Sequence, residues 1–367
     1  MSISAQDVKA LREKTGIGMM ECKKALTEAE GDMDKAVEIL RERGLAVSQK
    51  KSGRIAAEGI VYTKSEGGKT VIVEVNSESD FVAKNEKFLA FVDKIAATIL
   101  EKAPANVDEL AGMTASGSER TVTEELQDAI LVIGENLKIR RFEIVEGPVA
   151  TYIHMGGAVG VVVSFETDAE TAAKPEFTVM GKDVAMQVAA MNPEYLSKES
   201  IPAEELEKLR LITVESALNK PDSLPKPIMV KVITKAIADG MISDEDKAAY
   251  EAEKNNKFLF NFLSKEAAAA FAQVAVAGKE EYAADPIFNK AIEGRVAKQL
   301  KEICLLDQPF VKDDSMDVRA YVANSAKAMG ASVAVKSFIR YAKGEGIEKK
   351  EEDFASEVAA QIAKSQA

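Results

Sequence analysis

Few side chains in this chain of 367 residues could carry out covalent chemistry. The one histidine, His154, rules out a multi-histidine metal site and leaves no second histidine for a Ser-His-Asp triad. The two cysteines, Cys22 and Cys304, lie far apart and outside any CxxC spacing, so neither a zinc site nor a disulfide framework is indicated. The motif GGKT at 67–70 lacks the first glycine of a phosphate-binding loop, because Thr63 occupies that position. We therefore expect no enzyme activity, no cofactor and no metal.

A cluster of hydroxyl and carboxylate side chains at 77–80 directly precedes an aromatic residue, Phe81. Upstream, the β-branched run TVIVEV at 70–75 predicts a strand. Downstream, helical spacing predicts a helix at about 84–102, with an apolar face of Phe88, Phe91, Val92, Ile95 and Ile99. One interpretation is purely structural: Ser79 or Asp80 caps this helix, and Phe81 lies on its core face, seven residues before Phe88. The other is that this junction binds a partner.

The N-terminal segment 4–44 predicts three short helices, the last ended by Gly44. In the second helix the predicted core face consists of Met19, Cys22, Ala25, Leu26 and Ala29. Met20 falls instead on the polar side, together with Lys23, where it is either an ordinary exposed hydrophobe or a partner contact. Residues 44–54, which include Lys51, have little apolar periodicity and predict a linker.

Residues 55–149 predict an α+β unit, with strands at 57–64, 69–76 and 137–145, a hairpin at Gly67-Gly68 and a helix at 122–134. A similar pattern follows around Tyr152 and the run VGVVVSF. Leu137, Ile139 and Phe142 correspond to Val333, Val335 and Phe338 at a constant offset of 196 residues. We infer two copies of one sandwich, of which the second lacks the 79–82 motif.

A long helical excursion interrupts the second copy. Pro202 is placed to begin one helix, Ser243 resembles a cap that opens another through Ala275, and a third spans about 286–304. Near the C-terminus, Phe354, Val358 and Ile362 have the spacing of an amphipathic helix.

Composition limits the classes of partner. The net charge of −12 disfavours a nucleic-acid binder, which needs a basic surface to neutralise phosphates. No apolar run approaches membrane-spanning length, and the polar, amphipathic N-terminus does not resemble a signal peptide. We expect a cytoplasmic protein that binds neither nucleic acid nor membrane.

Two stretches carry a family resemblance. EVNSESDFVAKN at 74–85 and LREKTGIGMMECKKAL at 11–26 resemble the signatures of the elongation factor Ts family, the nucleotide exchange factors of elongation factor Tu. Ser79 stands where the family pattern has threonine. The resemblance covers almost the whole chain, apart from extra helical material at about 221–285.

The resemblance implies an α+β fold in several parts. Residues 1–54 would form a ubiquitin-associated-like three-helix domain with a linker, and 55–149 a first core α+β subdomain. Residues 150–195 with 305–346 would form a second, duplicated subdomain with an antiparallel sheet. Residues 196–304 would be a coiled-coil-like helical insertion that supports a homodimer, and 347–367 a C-terminal helical module.

The resemblance also implies a mechanism and a set of contacts. The chain would bind elongation factor Tu in its GDP-bound and nucleotide-free forms and promote GDP release by disturbing the magnesium and phosphate site, so that GTP can bind. The exchange wedge would be Ser79, Asp80, Phe81 and Val82. The remaining partner interface would consist of Met19, Met20, Lys23, Lys51, Gly134, His154 and Val311.

Two other functions stay open on the sequence. A helical adaptor would bind the partner tightly and leave nucleotide release unchanged. A hydrolase or transferase lacks any paired acid and base or nucleophile–histidine arrangement in this sequence. For His154, a local hydrogen bond within a hairpin is an alternative to partner contact.

Overall fold

The computed structural model describes residues 3–348 as a mixture of helices and antiparallel sheets, which places the chain in the α+β class. The chain falls into two compact units. The first comprises Met1–Asn192 and Val322–Ala367, and the second comprises Pro193–Tyr321. The amphipathic helix expected around Phe354, Val358 and Ile362 lies outside the described residues. Within residues 3–348, no helix is long and apolar enough to cross a membrane.

The first unit begins with three helices, α1 (Ala5–Thr15), α2 (Met19–Glu28) and α3 (Met33–Lys51). They enclose a small core that includes Leu11, Cys22, Leu26 and Leu40. Two expectations were wrong here. Met19 is 52% exposed rather than part of the core face. Helix α3 continues past Gly44 through the expected linker to Lys51.

The first sheet contains β1 (Glu58–Glu66), β2 (Lys69–Ser77) and β3 (Lys138–Glu146), in the order β1-β2-β3. Gly67 and Gly68 have φ of 59° and 78°, so they form the predicted two-residue hairpin turn, which requires positive φ at both positions. Three helices accompany this sheet: α4 (Glu86–Lys102), α5 (Val107–Gly112) and α6 (Val122–Ile133). Their apolar faces share one core with β2, and α5 was not predicted.

The second sheet contains β4 (Val149–His154), β5 (Val159–Glu166) and β8 (Ala334–Ala342), in the order β4-β5-β8. Helices α7 (Ala169–Ala172) and α8 (Pro175–Met191) follow β5. The pairing of the third strand shifts between Arg141 and Ile139 in the first sheet and between Ser337 and Val335 in the second. The same offset of 196 residues separates both pairs of positions (337 − 141 and 335 − 139).

The two sheets of the first unit pack on each other. Val61 and Ile72 from the first sheet share a buried cluster with Val162 and Tyr341 from the second. The Val61 N–H also donates to the carbonyl of Gly157 at 2.8 Å. This close approach explains a glycine at position 157, because a Cβ there would lie 2.7 Å from a side-chain carbon of Ile60.

The second unit is mostly helical and has its own core. It contains α9 (Ala203–Leu218), α10 (Lys226–Ala238), α11 (Asp244–Glu253), α12 (Lys265–Ala277), α13 (Lys279–Ala283) and α14 (Pro286–Ile303). A short hairpin follows, β6 (Pro309–Phe310) and β7 (Asp313–Asp317), and α15 (Val318–Ala328) then leads back into the first unit.

The single helix expected from Ser243 through Ala275 is broken between α11 and α12. Ser264 provides a second N-cap, accepting from the N–H of Ala267 at 3.0 Å. The Asp246 carboxylate holds this cap in place, because it accepts from the Ser264 N–H at 2.8 Å and from the Ser264 hydroxyl at 2.9 Å. The break lets both short helices contribute to one compact core, which a straight helix could not do.

Candidate functional site

The loop formed by residues 78–81 joins the end of β2 to a short 3₁₀ turn, Val82–Lys84, before α4. Asn85 caps α4, its side chain accepting from the Lys87 N–H at 2.9 Å. The purely structural interpretation, in which Ser79 or Asp80 caps this helix, was therefore wrong. Phe81 is 84% exposed, so the same interpretation was also wrong in placing it on the core face.

Val82 fixes the direction in which Phe81 points. The Val82 side chain is buried, together with Phe88, in the core that the first sheet shares with α4, α5 and α6. Phe81, the neighbouring residue, lies outside that core and is solvent-exposed. An aromatic side chain left in water at a strand-to-helix junction is an unfavourable arrangement for folding alone.

A glutamate from another segment holds the 78–81 loop. Glu135 accepts from the Ser79 N–H at 2.9 Å and from the Ser79 hydroxyl at 2.6 Å. The Ser77 hydroxyl donates to the Ser79 carbonyl at 2.8 Å. These bonds engage both backbone polar groups and the side chain of Ser79.

A second carboxylate makes the reverse connection. Glu78 accepts from the Asn136 N–H at 2.6 Å and from the Arg54 guanidinium at 3.3 Å. The Asn136 side chain donates to the Arg54 carbonyl at 2.8 Å. The start of the 78–81 loop and the segment after α6 are therefore joined in both directions.

Lys51 and Gly134 meet at the same junction. Gly134 ends α6 in the left-handed conformation, with φ of 86°, which a glycine adopts without the strain of a Cβ. The Lys51 ammonium donates to the Gly134 carbonyl. Three of the predicted site residues, Ser79, Lys51 and Gly134, are thus brought together by a single set of hydrogen bonds. Sequence reasoning missed Glu135 and Asn136, which have no motif of their own, and it gave Glu78 no role although this residue lies within the 74–85 signature.

A cleft of about 920 Å³ adjoins the exposed part of the loop. Asp80 and Phe81 contribute to its lining, as do Arg54, Glu58 and Lys343. Among the residues at 3–348, no group of three or more histidine, cysteine or acidic side chains could hold a metal ion. The side chains that line the cleft offer hydrogen-bonding groups, charges of both signs and an exposed aromatic ring.

The model of the family described as Elongation factor TS matches residues 78–345, which is 268 of the 367 residues. The chain belongs to this family. Membership implies a general role in nucleotide exchange on elongation factor Tu and binding to that protein. The matched region begins with the 78–81 loop and leaves out α1, α2 and α3.

Within this Elongation factor TS family member, the other predicted contact residues lie on separate elements. On α2, Met20 is 68% exposed, and Met19 and Lys23 are exposed beside it. The Lys87 ammonium, at the start of α4, donates to the Gly16 carbonyl at 2.9 Å in the turn that precedes α2. This bond links the N-terminal helices to the element that follows the 78–81 loop.

His154 ends β4 and is exposed. Its Nδ1 lies 3.1 Å from the Tyr152 hydroxyl, so the local hydrogen bond considered from the sequence is present. In the second unit, Val311 is 47% exposed and follows Phe310, whose buried ring stacks on Tyr321 with a centroid separation of 4.0 Å.

Proposed function

We propose that this chain is the guanine-nucleotide exchange factor of elongation factor Tu and that the 78–81 loop is its exchange wedge. Phe81 would insert between helices of the partner as an aromatic anchor, because burying a ring of this size is among the largest single contributions to an interface. The observation that carries the proposal is the 84% exposure of Phe81 on a loop whose base is fixed by hydrogen bonds.

Asp80 would act once Phe81 has docked. It is exposed and makes no hydrogen bond or ion pair with any residue that the structure describes. A carboxylate brought close to a magnesium and phosphate site repels the phosphates and competes for the metal. GDP and the ion would then leave, and GTP could bind.

The exchange itself requires no covalent chemistry, so we propose that the chain is not an enzyme. A protein that binds the nucleotide-free partner more tightly than the GDP-bound partner must weaken GDP binding by the same factor. The work of exchange is therefore supplied by the difference between those two affinities.

We propose further contacts with elongation factor Tu around this wedge. Met19, Met20 and Lys23 form an exposed face of α2 that an apolar partner helix could cover. The other proposed contacts are Lys51, Gly134, His154 and Val311. Val82 would support the wedge from inside the core rather than touch the partner.

The finer division of the chain is also a proposal. It comprises a ubiquitin-associated-like domain with its linker at 1–54, core subdomains at 55–149 and at 150–195 with 305–346, and a C-terminal module at 347–367. The matching bulges in the two sheets support the duplication of the core subdomains. The helical insertion at 196–304 would support a homodimer, and the family suggests a cytoplasmic location.

Release of a fluorescent GDP analogue from elongation factor Tu tests this function. We expect the wild-type chain to accelerate release, and Phe81→Ala to lower that acceleration about tenfold or more, as loss of an interface anchor does. Asp80→Ala should also slow release. Val179→Ala is the matched control, because Val179 is 60% exposed on α8 in the same unit.

The outcomes separate exchange from simple binding. If Phe81→Ala and Asp80→Ala both accelerate GDP release as the wild-type chain does, the exchange site lies elsewhere in the chain. Tight binding without acceleration by the wild-type chain would make it an adaptor and would contradict the proposal.

A further inference from the structure

We propose that Glu135 is a positioning residue for exchange: it holds the 78–81 loop in the conformation that presents Phe81. This inference rests on the proposed function and extends it to a residue that does not itself contact the partner. Glu135 follows the helix cap Gly134 and is partly buried.

The two oxygens of Glu135 bind two donors of one residue. Oε2 accepts from the Ser79 N–H at 2.9 Å, and Oε1 accepts from the Ser79 hydroxyl at 2.6 Å. Engaging both groups fixes the backbone of Ser79 and the rotation of its side chain at the same time. Hydrogen bonds to an ionised carboxylate are shorter and about twice as strong as neutral ones.

The connection is reciprocal, which limits how the loop can move. Glu78 accepts from the Asn136 N–H at 2.6 Å, while Glu135 accepts from the Ser79 N–H. Each of the two segments therefore supplies a carboxylate to the backbone of the other. Neither segment can shift along the other without breaking both bonds.

The arrangement fixes the base of the loop and leaves its tip exposed. Immobilising a flexible loop on binding costs free energy, and this cost is lower when the loop is held beforehand in its bound conformation. Loss of Glu135 should therefore leave Phe81 present but let it adopt many orientations, so that fewer encounters with the partner lead to GDP release.

The test compares Glu135→Ala, Ser79→Ala and the double variant in the GDP-release experiment. We expect Glu135→Ala to lower the acceleration about tenfold, because it removes both bonds to Ser79. Ser79→Ala should lower it less, since alanine keeps the backbone N–H, and the double variant should match Glu135→Ala. Ser118→Ala is the matched control, because the Ser118 hydroxyl donates to Glu125 at the same 2.6 Å elsewhere in this unit.

Two further readouts distinguish positioning from general stabilisation. In a Phe81→Ala background, Glu135→Ala should have no additional effect, whereas a merely structural role would lower the rate again. Hydrogen exchange at the Ser79 amide should be slow in the wild-type chain and about tenfold faster in Glu135→Ala, since the amide loses its acceptor. This second readout does not depend on the partner, and unchanged exchange at the β2 amides would show that the variant is folded.

The possible failures are distinguishable. If Phe81→Ala loses the acceleration of GDP release from elongation factor Tu while Glu135→Ala keeps it at the wild-type level, the positioning role is overturned and the proposed function stands. An unprotected Ser79 amide in the wild-type chain would also overturn the positioning role. If the wild-type chain does not accelerate release, both proposals are lost.

Discussion

Glu74 is a carboxylate buried between the two sheets of the first unit. It accepts from Arg140 at 2.9 Å, from Arg141 at 2.7 Å and from the Gly344 N–H at 2.7 Å. Burial raises the pKa of Glu74, but hydrogen bonds from Gly344, Asn76 and the two arginines outweigh burial and hold that pKa below its usual value. The ionised form is thus required for a complete set of hydrogen bonds, as is usual for a buried charge.

Replacing Glu74 by glutamine should destabilise the first unit by about 3 kcal/mol at neutral pH, because two arginines lose a buried ionic partner. Since the folded pKa is below the unfolded value, this contribution is present above the unfolded pKa and is lost as the pH falls. The difference in free energy of unfolding between wild type and Glu74→Gln should therefore stay constant above the ordinary glutamate pKa of 4.5 and narrow as the pH falls below it.

Native-state hydrogen exchange of the β2 amides measures this free energy of unfolding without interference from the second unit. Glu66→Gln, at an exposed position of β1 in the same sheet, is the control and should change little. If the difference in free energy of unfolding between wild type and Glu74→Gln did not change with pH, the charge of Glu74 would not stabilise the fold.

At the scale of elements, α3 shows how packing extends a helix beyond its local signals. Gly44 is unfavourable inside a helix, since it loses more backbone entropy than other residues on folding. Beyond Gly44, however, α3 lies against α6, and Val47 packs on the core that α4, α6 and β2 share. Burial of this face compensates for the glycine, so the helix continues to Lys51 and places that side chain at Gly134.

Gly44→Ala should stabilise the first unit by about 0.5–1 kcal/mol, because alanine reduces the entropy of the unfolded chain. An added Cβ would lie 3.7 Å from Leu131, which is an ordinary contact. Gly160→Ala is the matched comparison and should destabilise, since its Cβ would lie 2.4 Å from Val61. Hydrogen exchange of the α3 and β5 amides measures both effects. A destabilising Gly44→Ala would mean that α3 approaches α6 more closely than this spacing.

At the scale of the whole molecule, the chain consists of two units with separate cores. In the second unit, residues from the expected insert at 221–285, such as Phe271, share one core with Leu218 of α9 and Phe288 of α14. The extra material is therefore part of a compact helical body.

A fragment of residues 193–321 should consequently fold by itself, with a helical circular dichroism spectrum and cooperative thermal unfolding. It should not accelerate GDP release, because the 78–81 loop belongs to the other unit. The same fragment without residues 221–285 is the control and should fail to fold, since the core of α9 and α14 would be exposed to water. Gradual, non-cooperative unfolding of the longer fragment would contradict a self-sufficient core.

The sequence by itself determined the elements whose signals are local. The β-branched run and Gly67-Gly68 predicted the first hairpin, and the apolar spacing from Phe88 predicted α4. The 74–85 signature identified the family that the comparison with known families then confirmed. Exposure of Met20 also followed from its place on the polar side of α2.

Tertiary structure alone decided what depends on distant residues. Glu135 reaches Ser79 across 56 residues of sequence, and no spacing rule connects them. Phe81 has the spacing of a core residue, yet burial of Val82 turns it outward. Packing on α6 overrides the helix-ending signal of Gly44, because burial of a whole helical face outweighs the propensity of one glycine.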